Sequence, residues 1–315
     1  MKKILITGGS GFLGRHLAIK LKDHYEVILC ARNNSQNILT QEVTGCHVAP
    51  MDVANIESVK DSLNEFKPEI IIHAAATKYV VLSENYPMEC LDVNVLGSQN
   101  VARAAIDIGV DTVIGISTDK TAPPVGNIYG LSKALMERCY CELNSKSKTS
   151  FACVRFGNIA WSTGSVFPIW KGMMEREGLI QSTGPEMRRF FFSVDEATAL
   201  IIRAINNTDI IGGKVLSQKM KSAQIEDILN VWSLHYGISW EKIQRRPGDQ
   251  VDEFLIGSSE LEHTLEIDIE GITHFVISFN EKIINHLNEV ISSKNAERLT
   301  EKEILDLITR VPEFA

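Results

Sequence analysis

Several features that would mark other kinds of protein are scarce in this chain. Cysteine is one: the 315 residues hold six, at Cys30, Cys46, Cys90, Cys139, Cys141 and Cys153. They are scattered and four fall inside apolar patterns, so they read as reduced core thiols rather than a disulfide framework. Cys139 and Cys141 have no second cysteine or histidine pair at ligand spacing, and no zinc or other metal site is expected. Positive charge is also short, with 32 Lys and Arg against 40 Asp and Glu for a net charge of -8. That balance argues against general nucleic-acid binding, and it requires any anionic substrate to be held by a local basic site. No apolar run approaches the roughly 18 to 20 residues that span a bilayer. Nor does an apolar leader follow Lys2 and Lys3, because an alternating strand-type run leads straight into glycines. The expectation is a cytoplasmic protein with no membrane span.

What is present points to an α/β chain long enough for one large domain with an appendage, or for two domains. Residues 3–7 (KILIT) form a short apolar strand that feeds GGSGFLG, and a helix is expected over 15–22. A strand, a glycine turn and a helix N-terminus gather backbone N–H groups around a pyrophosphate. Gly8, Ser10, Gly11, Phe12, Leu13 and Gly14 are therefore assigned to a dinucleotide. The second strand, 26–30, runs into Ala31-Arg32-Asn33, where an NAD enzyme usually carries an acidic residue for the ribose 2'-hydroxyl. Arg32 suits a 2'-phosphate instead, so NADP is expected over NAD. A strand over 47–53 places Asp52, with Val53 beside it, where a carboxylate meets the adenine amine. Residues 69–76 (EIIIHAAA) read as a strand buried on both faces, with small Ala74, Ala75 and Ala76 leaving room for the cofactor. His73 inside that run is expected to be a satisfied core histidine. Helical periodicity covers 85–109, with Asn94 in its middle, and an apolar strand over 112–116 delivers Ser117 at its carboxyl end. Strand and helix alternate through residue 160, which gives a doubly wound parallel sheet.

The stretch from Ser117 to Lys133, STDKTAPPVGNIYGLSK, carries the chemistry. Tyr129-x-x-x-Lys133 lets an ammonium lie beside a phenol and make it a usable base near neutral pH. By itself the spacing is common on helices. Here it follows an adjacent acid and base, Asp119 and Lys120, which implies a further step on the same substrate. Past residue 150 a strand (151–156) leads into Gly157-Asn158 and a glycine-serine loop to residue 166, then an amphipathic segment over 167–177. Met187-Arg188-Arg189-Phe190 and Arg245-Arg246-Pro247-Gly248 supply arginine forks suited to a diphosphate, although single arginines are mostly solvated or paired. Thr300 caps a last helix with Glu303 completing a capping box. The expected division is a cofactor domain over 1–160 with a returning segment near 190–220, a substrate region over 161–189 and 221–292, and a helical tail over 293–315.

In this combination the chain resembles an extended short-chain dehydrogenase/reductase, and within that superfamily the inverting UDP-N-acetylglucosamine 4,6-dehydratases and their polysaccharide-biosynthesis relatives. AAATKYV, NYPMECLDVNVLGSQNV, STDK, YGLSK, RFGNIAWSTGSVFP, MRRFFF, RRPGDQVDE and NAERLTEKEILDLI echo its motifs in order. The resemblance implies a Rossmann-type doubly wound sheet with a smaller C-terminal α/β substrate-binding region. It also implies a cycle that uses NADP without consuming it. Tyr129, helped by Lys133, would take the proton of the sugar O4 as hydride leaves C4; Lys120 would remove the C5 proton and Asp119 would protonate the departing C6 hydroxyl. Lys78 and Asn94 would line the cofactor and sugar site together with Ile159, Thr118 and Thr163; Asn158 would meet the diphosphate, and Arg189 and Arg246 the nucleotide. Pairing into a homo-oligomer through the helices at 85–109 and 129–144 is expected.

Four departures from the family pattern are visible. TAPPVGNI is one residue longer than the usual connection, Tyr79 replaces a usual histidine, Trp161 a usual glycine, and Thr163 a frequent substrate-binding arginine. A tryptophan in the binding loop is expected to fill about a ring's volume there and to alter the accepted sugar or nucleotide. A nucleotide-sugar epimerase or 4-ketoreductase of the same superfamily, and a non-catalytic NADP-binding protein, are the alternatives to a dehydratase.

Overall fold

A computed structural model describes residues 1–244 and 249–315. Nine strands form the central sheet: β1 (Lys3–Thr7), β2 (Glu26–Ala31), β3 (His47–Pro50), β4 (Ile70–His73), β5 (Thr112–Ile116), β6 (Ser150–Arg155), β7 (Val215–Gln218), β8 (Thr264–Ile269) and β9 (Ile272–Ile277). Their spatial order is β8-β9-β7-β6-β5-β4-β1-β2-β3. From β3 to β7 every pairing is parallel; β9 runs antiparallel to β7, and β8 to β9. The order reverses between β1 and β4, and an open α/β sheet binds its ligand at such a point. The expected Rossmann-type sheet is present. Its β8-β9 hairpin comes from residues expected to serve the substrate; Phe275, Val276 and Ile277 are buried and extend the sheet instead.

Burial explains the strands. Ile4, Leu5, Ile6, Ile71, Ile72, Val113 and Ile114 are at 0% exposure, because helices cover both faces of a parallel sheet. His73 shares that environment: its Nδ1 is 2.8 Å from Thr7 Oγ1 and its Nε2 is 3.1 Å from Ser98 Oγ. Burial, with Lys133 adding to it, holds the imidazole neutral by lowering it to about 3. It is the satisfied core histidine that its apolar setting predicts.

Periodicity over 85–109 resolves into helix Pro87–Leu91, a π turn at Asp92–Leu96 and helix Gly97–Ile108. Pro87 lacks the N–H that would continue the preceding helix, Val80–Asn85, and so starts a new one. The π turn is centred on Asn94, and such bulges accompany side chains with work to do.

The C-terminal residues build a second layer. Arg188–Phe192 pairs with Ser222–Gln224 and Asn158–Ile159, and Leu179–Thr183 pairs with Ser239–Ile243. Beneath them Trp161, Phe167, Trp170, Phe191 and Trp232 form an aromatic cluster closed by Ile304 and Ile308 of the last helix, Glu301–Thr309. Thr300 caps that helix and Glu303 completes the capping box, as predicted. No helix among the described residues is long and apolar enough to cross a membrane.

Where β6 ends, Arg155 is fully buried between Glu137 and Glu260. Its Nε and Nη2 donate to Glu137 at 3.0 and 2.7 Å, its Nη2 and Nη1 to Glu260 at 2.8 and 3.0 Å, and its Nη1 to the Leu255 carbonyl at 2.9 Å. Breaking such a group by removing one partner leaves uncompensated buried charge, at a cost of about 3–5 kcal/mol. Arg155→Met is therefore expected to lower the unfolding free energy by about that amount in urea titration; an unchanged midpoint would refute this weight for the network.

Candidate active site

A cleft of about 630 Å³ opens beyond the carboxyl ends of β1, β4, β5 and β6. On the β1 side its wall is the glycine turn, with Gly8, Gly11, Phe12, Leu13 and Gly14. Gly8 sits at φ +70°, and a Cβ there would stand 2.8 Å from the Ala75 nitrogen; a Cβ on Gly14 would stand 2.5 Å from the Gly9 carbonyl. Only glycine lets this turn approach β4 and its own helix, Phe12–Leu21, so closely. Ala74, Ala75 and Ala76 continue the wall. The assigned residues fit a dinucleotide here. Ser10 departs from its assignment, since it is not on the wall and its hydroxyl donates to Asn37 Oδ1.

Arg32, Asp52 and Val53 follow β2 and β3, beside the cleft rather than on its wall. Arg32 is exposed, with one guanidinium nitrogen 3.5 Å from an exposed Glu89 carboxylate. Asp52 Oδ1 accepts from the Ala54 N–H at 3.0 Å, and Val53 is buried with its carbonyl taking the Asn100 amide at 2.9 Å.

Lys78 reaches the cleft. It opens to the cleft mouth yet is ringed by protein on most sides, and this desolvation lowers it to about 8. Asn94, expected on the wall, lies behind it at 0% exposure. Its Oδ1 accepts from Thr77 N at 2.8 Å, and its Nδ2 donates to Thr77 O at 2.9 Å and to Ser132 Oγ at 2.9 Å. Every polar atom of the amide is spent on fixing the backbone next to Lys78, so Asn94 shapes the site without lining it.

The far wall comes from β5 and helix Ile128–Asn144. Past β5 the chain keeps to β6, with Ser117 N donating to Val154 O at 2.7 Å and Asp119 N to Phe156 O at 3.0 Å. Ser117, Thr118, Lys120, Tyr129 and Lys133 all face the cleft. Ser117 Oγ donates to Glu137 at 2.5 Å, so the Arg155 network reaches this loop. Lys133 Nζ donates to the Ile116 carbonyl at 2.8 Å, and burial lowers the ammonium to about 8. Burial pushes the Tyr129 phenol up to about 12 against the pull of Lys120 and a hydrogen bond with Thr118.

Asp119 is 1% exposed. Its Oδ1 accepts from Thr118 Oγ1 and from Lys120 Nζ, each at 3.0 Å, while its Oδ2 is buried and has no hydrogen-bond partner. A buried carboxylate oxygen without a donor leaves an acceptor or proton site for something else.

The longer TAPPVGNI connection does not part the acid-base pair from Tyr129. A Cβ on Gly130 would run into the Lys120 carbonyl, so the first turn of helix Ile128–Asn144 is seated directly on that residue. The extra length is taken up at the surface, where Pro124 and Gly126 are exposed.

On the substrate side Asn158, Ile159, Thr163 and Arg189 line the cleft. Asn158 Nδ2 donates to Phe190 O at 3.1 Å. Arg189 spends its guanidinium on the carbonyls of Arg188 and Gln250, at 2.8 and 2.9 Å, and its Nε is 3.7 Å from Glu253. Arg188 forms a fork with Asp252 at 2.5 and 2.8 Å. Arg246 lies outside the described residues.

Trp161 overturns the expectation of a filled binding loop. It adopts φ 64°, is 2% exposed, and points away from the cleft into the aromatic cluster. There it lies 5.8 Å from Trp232, and its indole N–H donates to Leu307 O at 2.7 Å. The left-handed backbone explains why glycine suits the position; its cost of about 1–2 kcal/mol for an L residue is offset here by burial of the ring. Glu253 is the cleft residue that motif reading passed over. It lies 3.5 Å from Lys120 Nζ and is buried, and the signal for it was the carboxylate that closes RRPGDQVDE.

Residues 4–274 match the polysaccharide biosynthesis protein family. The chain belongs to that family. Across nearly its whole length it is 30% identical to the inverting UDP-N-acetylglucosamine 4,6-dehydratase of Campylobacter jejuni, covering 99% of both chains. It is 32% identical to a Methanocaldococcus jannaschii protein named only as an uncharacterized membrane protein, covering 91% of this chain and 93% of that one. The solved structure of Pen from Bacillus thuringiensis has the same fold at a TM-score of 0.89 and 27% identity, covering 98% and 96%. The kinship expected from the motifs, to extended short-chain dehydrogenase/reductases and their inverting dehydratases, holds.

Proposed function

We propose that this member of the family is a nucleotide-sugar 4,6-dehydratase acting on a UDP-N-acetylglucosamine-like substrate. The observation that carries the reading is Lys120 on the same wall as Tyr129 and Lys133, with Asp119 buried directly behind that wall and bonded to the Lys120 ammonium at 3.0 Å. Oxidation at C4 needs only the Tyr-Lys couple; an acid and a base beside it suit elimination of water across C5 and C6.

Tyr129 takes the O4 proton, with Lys120 and the Thr118 hydrogen bond lowering the cost of phenolate. The hydrogen bond to Thr118 and the 3.0 Å contact from Thr118 to Asp119 offer that proton a path to the acid. Asp119 takes it at Oδ1, the oxygen that faces Thr118 and Lys120, and from there it would pass to the departing C6 hydroxyl. Lys120 removes the C5 proton and later returns one, from the face that sets the configuration. The O4 proton thus leaves as part of the water.

A nicotinamide dinucleotide held by Gly8, Gly11, Gly14 and Ala74 to Ala76 would supply hydride acceptance at C4 and its return at C6. Arg32, exposed and only loosely paired with Glu89, is available to a 2'-phosphate, which favours NADP. Leu131 and Leu135, one helical turn apart and both exposed on helix Ile128–Asn144, with Met88 and Leu91 exposed on helix Pro87–Leu91, which packs against it, offer an apolar face for a second copy of the chain.

Incubation with UDP-N-acetylglucosamine is expected to give a product lighter by one water with no net change in reduced cofactor. Asp119→Asn and Lys120→Ala should lower that turnover by about 100-fold or more. A product of unchanged mass would point to an epimerase, and stoichiometric consumption of reduced cofactor to a 4-ketoreductase. Arg32→Asp should shift the ratio of cofactor affinities toward NAD, whereas an unmoved ratio sinks the NADP assignment. Sedimentation of the wild type as an oligomer, and of a Leu131→Glu, Leu135→Glu double variant as a smaller species, is the outcome expected for the apolar face; a monomeric wild type removes it.

A further inference from the structure

Lys120 must be a neutral amine to take a proton from C5, yet the site holds it as an ammonium. Its Nζ donates to Asp119 Oδ1 at 3.0 Å and stands 3.5 Å from Glu253 Oε1. Burial by itself would lower its pKa, but the two carboxylates outweigh burial and raise it. Some group has to relieve Lys120 of a proton before elimination. Asp119 is poorly placed for this, because in the dehydratase reading it needs a proton of its own to hand to the leaving hydroxyl.

Glu253 has no such second duty. Its side chain lines the cleft at 6% exposure. Its backbone is pinned on both sides: the Glu253 N–H donates to Ser293 Oγ at 3.0 Å, and the Ser293 N–H donates to the Glu253 carbonyl at 2.8 Å. The charged groups that face the carboxylate are Lys120 and Asp119 from the turn after β5 and Arg189 from strand Arg188–Phe192. Desolvation raises its pKa, with Asp119 adding to this and with Lys120 and Arg189 opposing it. A buried carboxylate with raised affinity for a proton, held against an ammonium, is built to exchange one.

We propose that Glu253 is the proton acceptor that turns Lys120 from ammonium into amine. The Lys120 N–H bond breaks and the proton passes to Glu253 Oε1, so ammonium plus carboxylate becomes amine plus carboxylic acid with no change in total charge. The amine then takes the C5 proton, gives a proton back to C5 after C6 has been reduced, and recovers its own from Glu253. The pair ends as it began and needs no outside proton. Glu253 acts through Lys120 and touches no reacting atom, which makes it a positioning residue. The inference rests on the dehydratase reading above.

The test uses the full chain with its cofactor, UDP-N-acetylglucosamine as probe, heavy water as solvent, and the variants Glu253→Gln and Glu253→Asp. In Glu253→Gln, deuterium entry at C5 and water loss should fall about 100-fold at neutral pH. The reduced-nicotinamide absorbance that reports C4 oxidation should still appear on mixing, and C5 exchange should recover as pH rises and solvent takes the Lys120 proton. Glu253→Asp should lie between. A second readout needs no substrate: the pH midpoint for acylation of Lys120, followed by peptide mass spectrometry, should drop in Glu253→Gln because one of two carboxylates has gone. Wild-type exchange in Glu253→Gln, loss of C4 oxidation in step with exchange, or an unmoved acylation midpoint would each overturn the proposal. If the wild-type enzyme loses no water from the sugar, the dehydratase reading fails, while the acylation midpoint still decides whether Glu253 governs Lys120.

Discussion

One buried guanidinium organises the working half of this molecule. Arg155 ends β6, and through Glu137 it grips helix Ile128–Asn144, which carries Tyr129 and Lys133. Glu137 in turn accepts from Ser117 at 2.5 Å and from Thr121 at 3.0 Å, on either side of the acid-base pair. Through Glu260 and the Leu255 carbonyl, Arg155 also holds the segment that follows Glu253. Three stretches that meet only in the fold are thus tied to one planar fork, and the fork's geometry fixes their spacing more rigidly than a lysine could. Removing such charges from water is costly, and the site obtains a fixed frame in return.

How much of this was legible in the sequence follows from distance along the chain. The glycine turn, Tyr129 with Lys133, Asp119 with Lys120 and the capped last helix are each written within a few residues, because one turn or one helix sets their geometry. The parallel sheet was legible for a related reason, since each apolar run must be buried on both faces. Arg155 and Glu260 are 105 residues apart, and no local pattern distinguishes a buried paired arginine from a solvated one. Asn94 was placed on the cleft wall by the family resemblance, but at the π turn its amide is turned to Thr77. Glu253 escaped notice because its meaning depends on Lys120, which reaches it only in the folded chain. Trp161 was misjudged for the same reason: its partners, Trp232 and Leu307, lie far along the sequence.

The cations on the cleft wall are unequal in what they can offer a ligand. Lys120 is committed to Asp119 and Glu253, and Arg189 to carbonyls and Glu253. Lys133 is turned to the Ile116 carbonyl. Lys133, through burial, and Lys78, through desolvation at the cleft mouth although its side chain is exposed, are both lowered to about 8, so above that pH the wall carries less positive charge than a count of its lysines suggests. For a dinucleotide's pyrophosphate this shifts weight to the N–H groups of the glycine turn, which do not titrate.

The left-handed twist at Trp161 separates the shape of the cleft loop from its chemistry. Because the indole is anchored behind the cleft, among the aromatic cluster and on the Leu307 carbonyl, the path of the loop is decided by residues that no ligand touches. Ser162 and Thr163, the next residues on the cleft side, are then free to differ without bending the loop. The protein has in effect a fixed hoop with exchangeable fittings, so substitution at the rim can change what the cleft accepts while the frame behind it stays where it is.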